Sequence, residues 1–307
     1  MNHLLSVLSC FLFFSALSQT PVVSKGSIVH LEKFASTYVD ACNVDIWLPD
    51  GYDSSKKYEV LYAHDGQVLF DPNFGSMSNV EWGMDEMMGK LSKEGKTKDC
   101  IVVAVWNTGL GRHADYAPQK PVEAVDHVIT DALYQEYGKN PSDLFYKRKA
   151  RSDNYLKFLV KELKPYVDTH FSVYKDKKHT HIMGSSMGGL ISLYAICEYP
   201  KVFGSAACLS THWPILFTME HNPFPEAIFA YLKKNLPNPK SHRIYFDYGD
   251  ATLDSMYPPL QKKADLLMKK CGYSVDNWST RFFPGENHSE KAWRDRLDIP
   301  LLFLLSK

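Results

Sequence analysis

The stretch His179-Thr-His-Ile-Met-Gly184-Ser-Ser186-Met-Gly188-Gly-Leu190 decides the fold. It reads as a short apolar strand, a tight turn and the first turn of a helix. Gly184-x-Ser186-x-Gly188 is the pattern of a nucleophile elbow, in which a serine is held up on a sharp strand-to-helix turn. Such a turn strains the backbone of the nucleophile and brings the residues two positions away too close for a Cβ, so both neighbours are glycine. Ser185 does not fit, because its flanking positions are Met183 and Met187. A bare G-x-S-x-G arises by chance on the order of 0.1 times in a chain of this length, given average Gly and Ser usage. Placement between an apolar strand and a helix separates it from a glycine-rich surface turn.

Working outward, strand-like runs fall at 39–48, 59–63, 101–106, 179–183, 202–209, 243–248 and 279–283. Helical periodicity appears at 82–91, 155–167, 190–197, 227–236 and 260–270. Alternation of strand and helix implies an α/β fold, a mostly parallel central sheet with helices on both faces. Segments 107–152 and 211–239 are long insertions at strand ends. Ligand crevices of open α/β sheets form outside the carboxyl ends of the strands, so these insertions are candidate pocket walls or a lid.

An elbow of this kind is followed in the chain by an acid and then a histidine. His212, His221, His242 and His288 follow Ser186. His242 enters a strand from its amino end, the wrong edge, and His212 and His221 precede the strand expected to carry the acid. His288 follows Pro284-Gly-Glu-Asn and opens a probable helix, and it alone has the right order and edge. For the acid, the strand ending at Gly249 is followed by Asp250 and Asp254, while Asp247 lies inside it. Asp254 is preferred, since it sits in a turn with room to fold back over the sheet edge. Asp250 is the alternative acid and fits a turn cap.

Acyl chemistry also needs two preorganised donors for an oxyanion. The backbone N–H of Met187, at a helix start, supplies one. The loop Tyr62-Ala-His-Asp-Gly-Gln67 supplies the other through the N–H of Gln67. His64 and Asp65 shape that loop. His179 and His181 share one strand face and could hold a metal, but no third ligand stands at a telling spacing, and two packed strand histidines are the better reading.

The chain of 307 residues is 45% hydrophobic, enough for one large core, and its Lys+Arg and Asp+Glu balance at 35 each. A neutral chain has no global field to attract nucleic acid or anionic membrane. An apolar run from Leu4 to Leu17, with Ala16 and Ser18 at cleavage-type positions, reads as a secretion signal over 1–18. The mature segment 19–307 is then expected as one domain, secreted or periplasmic, with no integral membrane segment. The run is short for a membrane anchor, and Cys10 fits a lipidation site poorly. Cys42, Cys100, Cys197, Cys208 and Cys271 remain. They are scattered and read as buried free thiols, with one disulfide left open.

These motifs resemble the esterase family of the α/β-hydrolase superfamily, which groups esterase D, feruloyl and acetylxylan esterases, enterochelin esterase and the antigen 85 mycolyltransferases. The carriers are His64-Asp-Gly-Gln-Val-Leu-Phe-Asp71, Trp82-Gly-Met-Asp85, Asp115-Tyr-Ala-Pro118, Gly184–Leu190, Tyr199-Pro-Lys-Val-Phe203 and Pro284–His288. The resemblance implies an α/β-hydrolase fold, Ser186 and His288 as nucleophile and base, Met187 and Gln67 as oxyanion donors, and no cofactor or metal. It also implies a small-molecule or carbohydrate ester as substrate, with acetyl or feruloyl esters of polysaccharide first. Siderophore hydrolysis, acyl transfer to a sugar and a non-catalytic carbohydrate-binding relative are the alternatives. Trp82, Trp106, Trp213 and Trp293 could supply sugar-stacking faces, though buried core is the expected state for most of them. Relatives often place the acid two or three residues beyond the strand-ending glycine, where this chain has Ala251 and Thr252, which keeps Asp250 open beside Asp254.

Overall fold

A computed structural model describes residues 20–74 and 79–307. The leader, its cleavage position and Cys10 lie outside the described residues. Eight strands form one sheet in the order β1-β2-β4-β3-β5-β6-β7-β8. They are β1 (Ser27–Phe34), β2 (Cys42–Leu48), β3 (Glu59–His64), β4 (Cys100–Val105), β5 (Thr180–Ser185), β6 (Ser205–Leu209), β7 (Arg243–Tyr248) and β8 (Trp278–Phe282). Only the first two pairings, β1 with β2 and β2 with β4, are antiparallel; every other pair runs parallel.

The central strands are apolar throughout because helices cover both of their faces. Cys100-Ile-Val-Val-Ala-Val105 is buried at every position. Alternate residues then divide between two cores. Val60, Tyr62, Ile101, Val103, Ile182 and Phe246 meet the Met187–Glu198 helix on one face. Leu61, Ala63, Val102, Met183 and Tyr245 meet the helices Met84–Lys93 and Asp298–Leu305 on the other. The Met187–Glu198 helix is buried along nearly all its length, so its sequence carries no polar stripe.

Strand order reverses about β3. The chain passes from β3 to β4 on one side, then crosses back to β5 on the other and continues outward to β8. The carboxyl ends of β3 and β5 therefore flank a topological switch point, where such sheets open a crevice. The loop after β3 and the turn after β5 are the two segments expected to supply the oxyanion donors and the nucleophile.

Several elements differ from the sequence reading. The strand expected from Val39 starts at Cys42, and the helix over 155–167 extends from Ser152 to His170 as two α segments joined by a wide π turn, Phe158–Leu163. Pro165 sits just after that turn and has no N–H to give the carbonyl of Lys161, a shortage that a π turn accommodates. β1 went unseen because its residues alternate between half-buried and exposed without an apolar face. Among the described residues no helix is long and apolar enough to cross a membrane. The five described cysteines are free; four are buried and Cys271 is half-buried.

Candidate active site

Ser186 stands between β5 and the Met187–Glu198 helix with φ 58° and ψ −123°, a conformation that L residues rarely adopt. Its N–H donates to the carbonyl of Leu209 at 2.9 Å, and its own carbonyl accepts from His212 at 3.1 Å, so the turn is fixed by the neighbouring strand end. A Cβ on Gly184 would come within 2.7 Å of the Gly188 carbonyl carbon. One on Gly188 would meet Asp65 Oδ2 at 3.2 Å and the His64 Cβ at 3.3 Å. The second contact shows that the loop after β3 lies directly against the elbow. Ser186 is 9% exposed.

Within that loop Asp65 adopts the left-handed conformation, φ 56°, and Gly66–Val68 form a single 3-10 turn. The N–H of Gln67 and that of Met187 find no acceptor among the described residues, Met187 because a helix leaves its first N–H groups free. The loop is clamped from the first insertion. Arg112 donates Nε to Asp65 Oδ1 at 2.6 Å and Nη2 to Oδ2 at 2.7 Å, a bidentate pair. Asn107 adds a bond from its side-chain amide to Asp65 Oδ1 at 2.8 Å and one from its backbone N–H to the Gln67 side-chain oxygen at 3.2 Å. Burial pushes the Asp65 carboxyl up, but the Arg112 charge and these hydrogen bonds outweigh it and hold the group below its ordinary value. His64 turns away from Asp65 and bonds the Tyr155 hydroxyl through Nδ1 at 2.8 Å.

At the far side of the sheet end, His288 Nδ1 lies 2.5 Å from Asp254 Oδ1. Asp254 is fully buried on the 3-10 turn Thr252–Met256, and its other oxygen accepts from the Gly249 N–H and the Ser210 hydroxyl, each at 2.7 Å. Thr252, at φ 52°, begins that turn and accepts the His288 backbone N–H at 2.9 Å through its hydroxyl. Asp250 does something else: its carboxylate accepts from the Gly285 N–H at 2.7 Å and caps the turn before His288. Of the two acids left open by the sequence, the structure joins Asp254 to His288. Asp247, inside β7, pairs with Arg296 Nη2 at 2.9 Å.

Several residues around this arm carry no local signal in the sequence. Ser210 Oγ, besides donating to Asp254, accepts from Trp293 Nε1 and from Arg296 Nη2, both at 3.0 Å. Trp293 presents its ring edge-on to His288, centroids 5.0 Å apart. Tyr257 is wholly buried with its hydroxyl against Ser186 and 2.7 Å from His212 Nδ1. Burial raises the Tyr257 hydroxyl well above its usual pKa, Asp254 adds to that, and the Ser186 bond opposes it. Both insertions therefore reach the site, the first through Asn107 and Arg112, the second through His212. Phe217, from the second, is largely exposed and packs on His212 and His113.

Trp82, Trp213 and Trp293 are buried and offer no open face to a sugar; only Trp106 is half-exposed, and its indole N–H is bound to Asp45. His179 and His181 both approach Glu59, at 4.0 and 2.7 Å. Even so, no three His, Cys, Asp or Glu side chains converge in metal-binding geometry among the described residues.

Fold and site together define the class: an α/β-hydrolase-type sheet with a serine elbow at its switch point. The model of the Esterase family, described as "Putative esterase", matches residues 36–302. The chain belongs to that esterase family. YbbA, an uncharacterised protein of Bacillus subtilis, is 30% identical over 170 residues, 55% of this chain and 56% of YbbA. The B. subtilis protein YjcH is 20% identical over 180 residues, 59% of this chain and 60% of its own. The match thus spans a little over half the length of these curated relatives. Among solved structures, the ferulic acid esterase Fae1A of Anaeromyces mucronatus superposes with TM-score 0.63 at 18% identity, over 94% of this chain and 93% of its own. BES from Bacillus cereus gives 0.62 at 16%, over 93% and 97%. The enterobactin hydrolase IroE gives 0.56 at 17%, over 91% and 94%. At these identities the likeness shows the fold.

Two stability predictions follow from the charges. Arg296→Met strands Asp247 as a buried, unpaired carboxylate and should cost about 3–5 kcal/mol. The double variant with Asp247→Asn should recover much of that in urea denaturation, and equal losses in single and double variants would show that the pair is not what matters. Burial also pushes His64 and His113 down to about 3 and His212 well below its usual value. A histidine with a depressed folded pKa is neutral when folded and protonated when unfolded, so its contribution is whole above its unfolded pKa and is lost as pH falls below it. Asp65, also depressed, acts in the same direction at lower pH. Unfolding free energy should therefore fall from pH 7 towards pH 5 by on the order of 1 kcal/mol per pH unit for each such histidine. A flat profile over that range would mean these rings are charged in the folded chain.

Proposed function

We propose that this chain is a serine carboxylic-ester hydrolase with Ser186 as nucleophile, His288 as general base and Asp254 as the orienting acid. The observation that carries the proposal is the strained Ser186 elbow set at the switch point between β3 and β5, with a buried Asp254–His288 pair delivered to the same sheet edge. Asp254 bound to Nδ1 fixes the imidazole tautomer, which leaves Nε2 to take the Ser186 proton. Ser186 Oγ then attacks the ester carbonyl, and the negative oxygen is met by the N–H groups of Met187 and Gln67. Collapse releases the alcohol, which takes its proton from His288. Water, deprotonated by the same histidine, attacks the acyl-serine and frees the acid. Every step is carried by side chains and backbone of this chain.

The substrate class follows from the family and from the surface beside the site. An acetyl or feruloyl ester of carbohydrate is the first reading, supported by the fold shared with a ferulic acid esterase and by the exposed Phe217 and Leu110 on the two insertions. A siderophore ester is the second, supported by the fold shared with an enterobactin hydrolase. Acyl transfer to a sugar uses the same groups with water excluded. The leader reading over 1–18 supports export, with 19–307 acting as one catalytic domain in a secreted or periplasmic setting. A panel of aryl acetates, feruloyl sugars and a catecholate trilactone, offered to the form beginning at Gln19, separates these readings by kcat/KM.

Ser186→Ala should lower kcat by several orders of magnitude with the thermal midpoint little changed, as loss of a triad nucleophile generally does. Asp254→Asn should cost far more activity than Asp250→Asn, because only the partner of Nδ1 sets the tautomer. More than a few per cent residual activity in the serine variant would reassign the nucleophile, and a reversed ranking of the two asparagine variants would reassign the acid.

A further inference from the structure

The opposite edge of the sheet, where the parallel strands begin, bears a surface of different character. A concavity of about 740 Å3 opens there between the starts of β5, β6 and β7, bounded by Lys177, Lys178, Lys240 and Arg243, with Lys98 at its side. A second, of about 360 Å3, shares Lys98 and Lys178 and adds Lys57 and Lys307. Carboxylates are few: Asp276 in the first, Glu59 and Asp99 in the second. Glu59 faces inward, where it accepts from His181 Nε2 at 2.7 Å and lies 3.4 Å from Lys98 Nζ; His181 Nδ1 in turn bonds the Ser205 hydroxyl at 2.6 Å. That buried chain forms the floor, and most of the lysines have no acidic partner among the described residues. Since the whole chain carries no formal net charge, the positive excess on this edge is offset by an equal negative excess over the remainder.

Arg243 is the most telling member. It is half-buried, with its guanidinium 4.6 Å from the centre of the Phe303 ring, and among the described residues no carboxylate pairs with it. Burial alone lowers its pKa. A partly desolvated arginine without an anion is unusual, because such groups are normally held by a carboxylate or phosphate. The basic residues also form a row. Lys98, Lys57, Lys178 and Arg243 stand at or just before the starts of β4, β3, β5 and β7, and the strand order β4-β3-β5-β6-β7 sets these side by side. At about 4.8 Å between strands, the row spans roughly 19 Å. A small anion would fill one end of it; a linear molecule with repeated negative charges fills it all.

Tyr174 lines the second concavity, 40% exposed and stacked on His179 with ring centroids 4.2 Å apart. It offers one flat face of the kind that packs on a pyranose ring. Single-stranded nucleic acid is held by successive aromatic platforms, and Tyr174 is the lone Phe, Tyr or Trp among the residues lining these two concavities.

We propose that this basic edge is a binding site for a linear acidic oligosaccharide, with uronate carboxylates on Arg243 and the lysine row and one sugar ring on Tyr174. The site lies at the end of the sheet away from Ser186, so it binds without taking part in ester cleavage, and the proposal stands apart from the esterase reading. The test is fluorescence anisotropy with labelled tetragalacturonate on the full mature chain, beside xylotetraose, a four-residue oligothymidylate and inorganic pyrophosphate. Tetragalacturonate should bind, more weakly as salt is raised, and Arg243→Gln with Lys178→Gln should reduce affinity about tenfold or more. The same double variant should keep its thermal midpoint and its rate on an aryl acetate. Absence of binding, equal binding of xylotetraose, or no effect of the double variant would overturn the site. Tighter binding of oligothymidylate would overturn the saccharide assignment, and equal binding of pyrophosphate would overturn the extended ligand.

Discussion

Everything at the carboxyl edge of the sheet depends on the backbone of one residue. Ser186 is held at φ 58° and ψ −123°, a conformation that costs of order 1–3 kcal/mol and persists only when its surroundings over-determine it. They do so here from three directions. Gly184 and Gly188 allow the chain to fold back on itself, Leu209 accepts the serine N–H, and the loop after β3 presses on Gly188. Slackening any of these would let the turn relax and withdraw the hydroxyl from the crevice. Central strands buried on both faces supply the rigidity, since their spacing is set by close packing.

The groups that surround the serine are each supported by a layer behind them. Asp254 is desolvated, yet its two oxygens take bonds from His288, Ser210 and the Gly249 N–H, which is what a buried carboxylate requires. Ser210 is in turn tied to Trp293 and Arg296 in the helical segment that follows His288. The acid and the histidine are thus locked together through elements on both sides of them. On the other flank, the Arg112–Asp65 pair fixes the turn that leads into Gln67, so the first insertion acts as a buttress for that loop.

How much of this could be read from the chain depended on distance along it. The elbow was legible because its chemistry lies within five residues, with glycine demanded at two of them. Order and edge singled out His288, and the structure pairs that residue with Asp254. The choice between Asp250 and Asp254 as partner of His288 was harder, because Asp254 arrives on a 3-10 turn begun by Thr252 in a positive-φ conformation that threonine does not advertise. Arg112, Ser210, Tyr257 and Arg296 were not legible at all. Their partners lie 47, 44, 45 and 86 positions away, and no periodicity encodes a contact of that span. Three of the four candidate tryptophans are core, the state expected for most of them, since composition says how many rings a chain has and not which way they face. β1 was missed for the converse reason: an edge strand half in solvent needs no apolar alternation.

The shifted position of the acid has a structural counterpart. Asp250, the first carboxylate past β7, is occupied in capping the turn at Gly285. That bond, together with the backbone bonds from Asp250 and Ala251 to the Glu286 carbonyl, draws the two loops together at the strand end. Asp250 is committed to loop structure, and the turn through Thr252 brings Asp254, not Asp250, to Nδ1 of His288. Thr252 then fastens the His288 backbone as well. One short segment therefore does both tasks, holding the loop and orienting the ring, with a different carboxylate for each. A chain that used a single aspartate at the more usual spacing would need another device to pin the histidine loop.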